Sequence, residues 1–148
     1  QIPMAARHAG YSSCLTVRGV EGGVLLPMNN KVNEGIVYHT CGEDQSIILN
    51  PEEAGIKTTL RSIPVPPDFK DVIRDSDYGN PALAAASGST GIEGLSGAKG
   101  PARDSLLFTA SAFLYSIGKF QSLRDAADMV YQKLDSGAAL ERFEKGRG

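Results

Sequence analysis

The sequence predicts an α/β domain, an α+β arrangement in which a mixed sheet is flanked by C-terminal helices. Two observations predict it. The first fifty residues carry three short β-prone runs bounded by glycine and turn residues, and the last third carries capped segments of helical periodicity. Between them, SIPVPPDFKD holds three prolines, which break both helix and ladder, so residues 57–79 read as a long surface connection. At 148 residues the chain is long enough for one modest core and short for two ordinary domains.

The elements follow in order. In QIPMAARHAG, Ile2, Ala5, Ala6 and Ala9 recur at helical spacing, and Gly10 suits a C-cap. Cys14 to Arg18 (CLTVR) is a strand that stops at Gly19 and enters a loop with the glycine pair 22 and 23. Gly35 to Cys41 (GIVYHTC) and Ser46 to Leu49 (SIIL) form a hairpin about the loop Gly42, Glu43, Asp44 and Gln45. Asn50-Pro51 closes the second of these strands and opens a helical turn, PEEAG.

Asn80-Pro81 is an N-cap followed by proline at N1, and it opens PALAAASGSTGIEGLSG. The alanines there favour helix, the glycines weaken it, and such a helix needs tertiary support. Pro101 starts PARDSLLFTASAFLYSIG, where Leu106, Leu107, Ala110, Phe113, Leu114 and Ile117 are expected to form one buried stripe ending at Gly118. Ser122 and Asp125 read as a capping box ahead of Leu123, Ala126, Ala127, Val130 and Leu134, and Gly137 stops that helix. A last short helix, Ala138 to Lys145, is expected to make its contacts through Leu140 and Phe143. These stripes are read as core, each large side chain contributing roughly 1.5–3 kcal/mol on burial.

Composition narrows the function classes. Fifteen Lys and Arg stand against seventeen Asp and Glu, a net charge of −2, so no global field draws the protein to nucleic acid or membrane, and any anion site is local. No apolar run approaches the ~18 residues of a membrane span, and QIPMAARHAG lacks the apolar region of a signal peptide, which implies a cytoplasmic protein. Cys14 and Cys41 lack the paired spacing of a zinc site and read as free thiols of a reducing compartment. His8 and His39 have no nucleophile motif beside them and read as structural, and no residue is assigned a catalytic role.

Three segments are candidates for contact with an anion. The loop residues Arg18, Gly19, Glu21, Gly22 and Gly23 follow a strand, where glycine backbone can cradle phosphate and arginine can donate two hydrogen bonds. The same residues equally suit a plain turn, an arginine paired with an acid, and a solvated glutamate. Asn29, Asn30 and Lys31 form a polar stretch suited to a sugar or phosphate, or simply to a turn. Lys99 and Arg103 flank a helix start, whose unpaired N–H groups favour anions, with solvent as the alternative.

The tail GPARDSLLFTASAFLYSIGKFQSLRDAADMVYQKLDSGAALERFE resembles the C-terminus of the anthranilate phosphoribosyltransferase group of glycosyltransferases, in which nucleoside phosphorylases also fall. AARHAGYSSCLTVRGVEGG likewise resembles the family's helix and central strand, and LNPEEAGI stands at its usual place after the hairpin. The resemblance implies the second half of a family member, without the N-terminal helical domain, through which the family commonly forms homodimers, and without the first phosphate loop. It implies phosphoribosyl transfer from phosphoribosyl pyrophosphate to an aromatic amine as the parent reaction, part of tryptophan biosynthesis, with this chain inactive on its own.

The resemblance also implies magnesium in the parent, held by an Asp–Glu pair in the glycine loop, because a pyrophosphate leaving group needs a cation held by carboxylates. Counted from Gly19, that pair falls at Gly23 and Val24, and neither side chain ligates metal. No cofactor is therefore expected for this chain alone. VRGVEGG resembles instead a divergent subgroup for which nucleic-acid binding without the biosynthetic reaction is the implied alternative.

Overall fold

The computed structural model describes residues 2–17, 26–29, 33–39, 44–57 and 80–147. In chain order these form α1 (Ile2–His8), β1 (Ser13–Val17), β2 (Asn33–His39), β3 (Gln45–Leu49), α2 (Pro81–Leu95), α3 (Pro101–Ser116), α4 (Leu123–Asp135) and α5 (Ala138–Arg147). The three strands make one sheet in the order β1-β2-β3, each neighbour antiparallel to the next. The α/β class and the hairpin expected from the sequence are both present. The expected surface connection lies outside the described residues apart from its first residue, Lys57.

Register follows from the side-chain alternation of the strands. Leu15 pairs with Val37, Val17 with Gly35, Gly35 with Ile47 and Asn33 with Leu49, so these residues share one face. That face meets the helices: Leu49 and Val37 are buried, and Leu15, Val17 and Ile47 pack on the main core. Cys14, Thr16, Glu34, Ile36, Tyr38, Ser46 and Ile48 alternate onto the other face. There α1 packs against β1 and β2. Tyr38 is buried, and the Arg7 guanidinium sits 4.2 Å from its ring centroid while Arg7 Nη2 pairs with Asp44 Oδ1 at 2.8 Å. Farther along that face Ile36 and Ile48 are 43% and 62% exposed.

The Asn50-Pro51 turn is helical, as expected: Ile56 N–H donates to the Pro51 carbonyl at 2.9 Å, and Gly55 supplies the positive φ of 79° that ends it. Ala54 and Ile56 then enter the core beside Leu26, Met28 and Leu49, facing Leu107, Phe108, Ala112, Leu123, Ala127 and Leu134 from the helices. Caps account for the helix starts. Asn80 Oδ1 accepts from Ala82 N–H at 3.0 Å and Leu83 N–H at 3.3 Å, and Ser122 Oγ accepts from Asp125 N–H at 3.1 Å.

Two helices differ from the expected burial. On α3 the buried residues are Arg103, Ser105, Leu107, Phe108, Ser111, Ala112 and Ser116, whereas Phe113, placed in the stripe by its apolarity, is 47% exposed. The helix packs against both α2 and α4, so its burial is not a single stripe. Small hydroxyl residues serve in such a position because they return a hydrogen bond to their own helix, as Ser111 Oγ does to the Leu107 carbonyl at 2.5 Å. On α5 Phe143 is 43% exposed, and Ala139 rather than Phe143 packs on the core.

Tertiary support for α2 comes from close approach to α3. Gly94 is its buried residue, and a Cβ there would stand 3.2 Å from the Ala102 carbonyl carbon and from the Arg103 amide nitrogen.

Candidate functional site

The strand β1 ends at Val17, and the chain reappears at Leu26 inside the core, so the intervening glycine loop has two fixed stems. On one side Val17 is held by its pairing with Gly35. On the other, Leu26, Pro27 and Met28 are buried, and Leu26 N–H donates to Thr109 Oγ1 of α3 at 3.2 Å. Arg18, Gly19, Glu21, Gly22 and Gly23, together with Val24, lie outside the described residues. Of the polar stretch that follows, Asn29 is half-buried with its Oδ1 enclosed and unpartnered, and Asn30 and Lys31 lie outside the description.

An open cleft of about 560 Å³ adjoins the end of β1, lined by Thr16, Val17, Glu34, Ile36, Ser46 and Ile48 among others. Among the described residues that line it, Glu34 is the charged one, beside the aliphatic Val17, Ile36, Ile47 and Ile48. Thr16 Oγ1 donates to the Ile36 carbonyl at 3.2 Å, which leaves its lone pairs as acceptors. Gly35 leaves no room for a side chain here: a Cβ would stand 2.9 Å from the Thr16 carbonyl oxygen and 3.2 Å from Ile47 Cγ2. Sequence reasoning missed Glu34, Gly35 and Thr109. Nothing in local pattern marks them, because cross-strand register and the packing of α3 under the loop stem bring them to the site.

The helix-start candidates part company. Lys99 is exposed, while Arg103 is 5% exposed, ion-paired with Asp135 of α4 and 4.2 Å from the Tyr131 ring centroid. Its Nη2 is taken by Asp135 and its Nε is buried without a partner, so burial rather than saturation keeps an external anion away. Beside it, burial raises the Asp104 carboxyl above its ordinary value, partly offset by the Arg103 charge. His8 is exposed on α1, and Cys14 is a free, half-buried thiol.

Among the described residues no three His, Cys, Asp or Glu side chains gather, and those lining the cleft include one carboxylate, Glu34. The nucleic-acid alternative gains nothing from the surface either. Arg7, Arg103, Arg124, Lys145 and Arg147 each pair with a carboxylate. Among the described residues no helix is long and apolar enough to cross a membrane.

A three-stranded antiparallel sheet with helices packed on it defines a mixed α/β domain. Comparison with known proteins gives the particular likeness. The chain is 33% identical over 104 residues to anthranilate phosphoribosyltransferase of Desulfitobacterium hafniense (strain Y51), covering 70% of this chain and 26% of that one. It is 29% identical over 138 residues to the enzyme of that name from Ruminiclostridium cellulolyticum, covering 93% and 36%. A 51-residue stretch is 45% identical to that of Thermomicrobium roseum, covering 34% and 15%. No family model matches. The chain is thus anthranilate phosphoribosyltransferase-like along most of its length, and it spans about a quarter of the first of these relatives and about a third of the second.

Proposed function

We propose that the chain is the C-terminal part of an anthranilate phosphoribosyltransferase-like protein and that it presents the β1 glycine loop to a phosphoribosyl donor. The observation that carries this reading is the likeness over 70% to 93% of the chain to proteins of that name. The two fixed loop stems support it. In the parent reaction the amine nitrogen of an aromatic amine bonds to the anomeric carbon of phosphoribosyl pyrophosphate, the bond from that carbon to the pyrophosphate oxygen breaks, and the nitrogen loses a proton to solvent.

Such a reaction relies on positioning and charge placement more than on a protein nucleophile. The chain's own part is to hold the donor. Val17 and Leu26 fix the loop ends, Arg18 supplies a cation for phosphate oxygens, and Glu34 accepts hydrogen bonds from sugar hydroxyls at the cleft wall. No step through a divalent cation is derived, since the residues at the loop do not supply its ligands.

Equilibrium titration of phosphoribosyl pyrophosphate into the 148-residue chain tests this. Saturable binding is expected, weakened roughly tenfold by Arg18→Ala, the loss of one charge-assisted contact. Fluorescence-monitored consumption of anthranilate by the chain alone should stay at the uncatalysed rate. Absence of donor binding, or binding indifferent to Arg18→Ala, overturns the reading.

A further inference from the structure

A second groove lies where β3 meets the helices. It runs between β3 and the turn that joins α3 to α4, has a volume of about 400 Å³, and is lined by Gln45, Ser46, Tyr115, Ser116, Phe120 and Gln121, with Val37 and Ile47 at its base. Gln45 shares the face of Val37, with which it pairs. Tyr115 and Ser116 end α3, and Gly118, with a positive φ of 73°, turns the chain so that Phe120 and Gln121 face back toward the strand.

The wall chemistry is specific. Among the described residues that line it, none is charged. Ser116 Oγ is engaged with the Phe113 carbonyl at 2.8 Å, but the Gln45 and Gln121 carboxamides and the Tyr115 hydroxyl have no hydrogen-bond partner among the described residues. Each glutamine offers one acceptor and two donors side by side, the complement of a lactam or carboxamide edge, which returns one donor and one acceptor. Phe120 and Tyr115 add aromatic faces for a flat ring. An anion would lose its hydration here with no cation on the wall to replace it.

We propose that this groove binds an uncharged planar ring bearing a lactam or carboxamide edge, held by Gln45 and Gln121 and flanked by Phe120. The site borders the cleft at the end of β1, sharing Ser46 and Ile47 with it, while Gln45, Gln121 and Phe120 belong to the groove alone, and it does not depend on the transferase reading. Its volume, at the lower end of small-molecule pockets, suits a single ring or a fused pair.

Uracil and nicotinamide are suitable probes, with benzoate as an anionic ring of similar size. Titrated into the isotope-labelled 148-residue chain, uracil or nicotinamide should shift the amide resonances of Gln45, Ser46, Gly118, Phe120 and Gln121 saturably, with a dissociation constant on the order of millimolar for so small a ligand. Benzoate should leave them in place. The Gln45→Leu/Gln121→Leu variant should weaken binding roughly tenfold or more, two hydrogen-bonding groups being lost. Should that variant lose the parent spectrum elsewhere, Tyr115→Phe, which removes only a hydroxyl, gives the same comparison with a smaller loss. The proposal is overturned by absent or unsaturable shifts, by benzoate matching uracil, or by a folded variant that binds as the parent does.

Discussion

Asp104 shows how a single residue records its surroundings. It lies in the first turn of α3, where the helix dipole favours its charge, yet burial raises its carboxyl above the ordinary value of 3.8. In the folded state it therefore holds its proton to higher pH than in the unfolded chain. Between those two values the folded state binds more protons, so this residue's contribution to stability falls as pH rises through the window above 3.8. Asp104→Asn should remove that slope: denaturation midpoints measured from acid to neutral pH should show the variant gaining on the parent as pH rises. A variant that runs parallel to the parent across the range would contradict the assignment. Arg103, one residue earlier, teaches a different lesson. Its type and position suggested an anion contact, and its partner Asp135, thirty-two residues away, shows it to be a tie between α3 and α4.

Among the elements, α4 is the most self-sufficient. Its N-cap is closed twice, by Asp125 N–H to Ser122 Oγ at 3.1 Å and by Ser122 Oγ–H to Asp125 Oδ2 at 2.7 Å, and its buried residues Leu123, Ala126, Ala127 and Leu134 keep helical spacing. Ser122→Ala should cost about 0.5–2 kcal/mol, seen as a lower midpoint in urea with an unchanged slope. That expectation comes from sequence and geometry alike. For α2 and α3 the two diverge. Serines at 105 and 111 are inside and Phe113 is half outside, because α3 is packed on more than one side, and the packing of α2 turns on the lack of a side chain at Gly94. Periodicity reads helices with one wet and one dry face, and it has no purchase on a helix enclosed from several directions.

At the scale of the whole molecule, the described residues on either side of the loop after β1 are tied to different layers, Val17 to the sheet and Leu26 to α3. Thr109 Oγ1 accepts from Leu26 N–H, so a helix side chain holds the far stem of a loop whose near stem belongs to the sheet. Thr109→Val keeps the shape and removes the acceptor, leaving a buried N–H unpaired at a cost of about 1–3 kcal/mol. Hydrogen exchange should then accelerate at Leu26 while the amides of α4 stay protected, and equal acceleration throughout would mean that Thr109 supports the fold rather than the stem. The cleft at the end of β1 and the groove at the α3–α4 turn share Ser46 and Ile47 of β3, so substitutions at Gln121 or Phe120 are expected to leave the cleft unchanged, whereas substitutions at Ser46 or Ile47 reach both.

The sequence by itself determined the elements whose causes are local: the first strand, the hairpin, the Asn80 and Ser122 caps, the stops at Gly118 and Gly137, and the likeness to anthranilate phosphoribosyltransferases. Each rests on residues a few positions apart, where backbone geometry and capping act. Only the tertiary structure decided that Arg103 is a buried tie, that Glu34 walls the β1 cleft, and that Gln45 and Gln121 converge on one groove. The physical reason is that strand register and helix packing join residues distant in the chain, and no local pattern encodes which of them will meet.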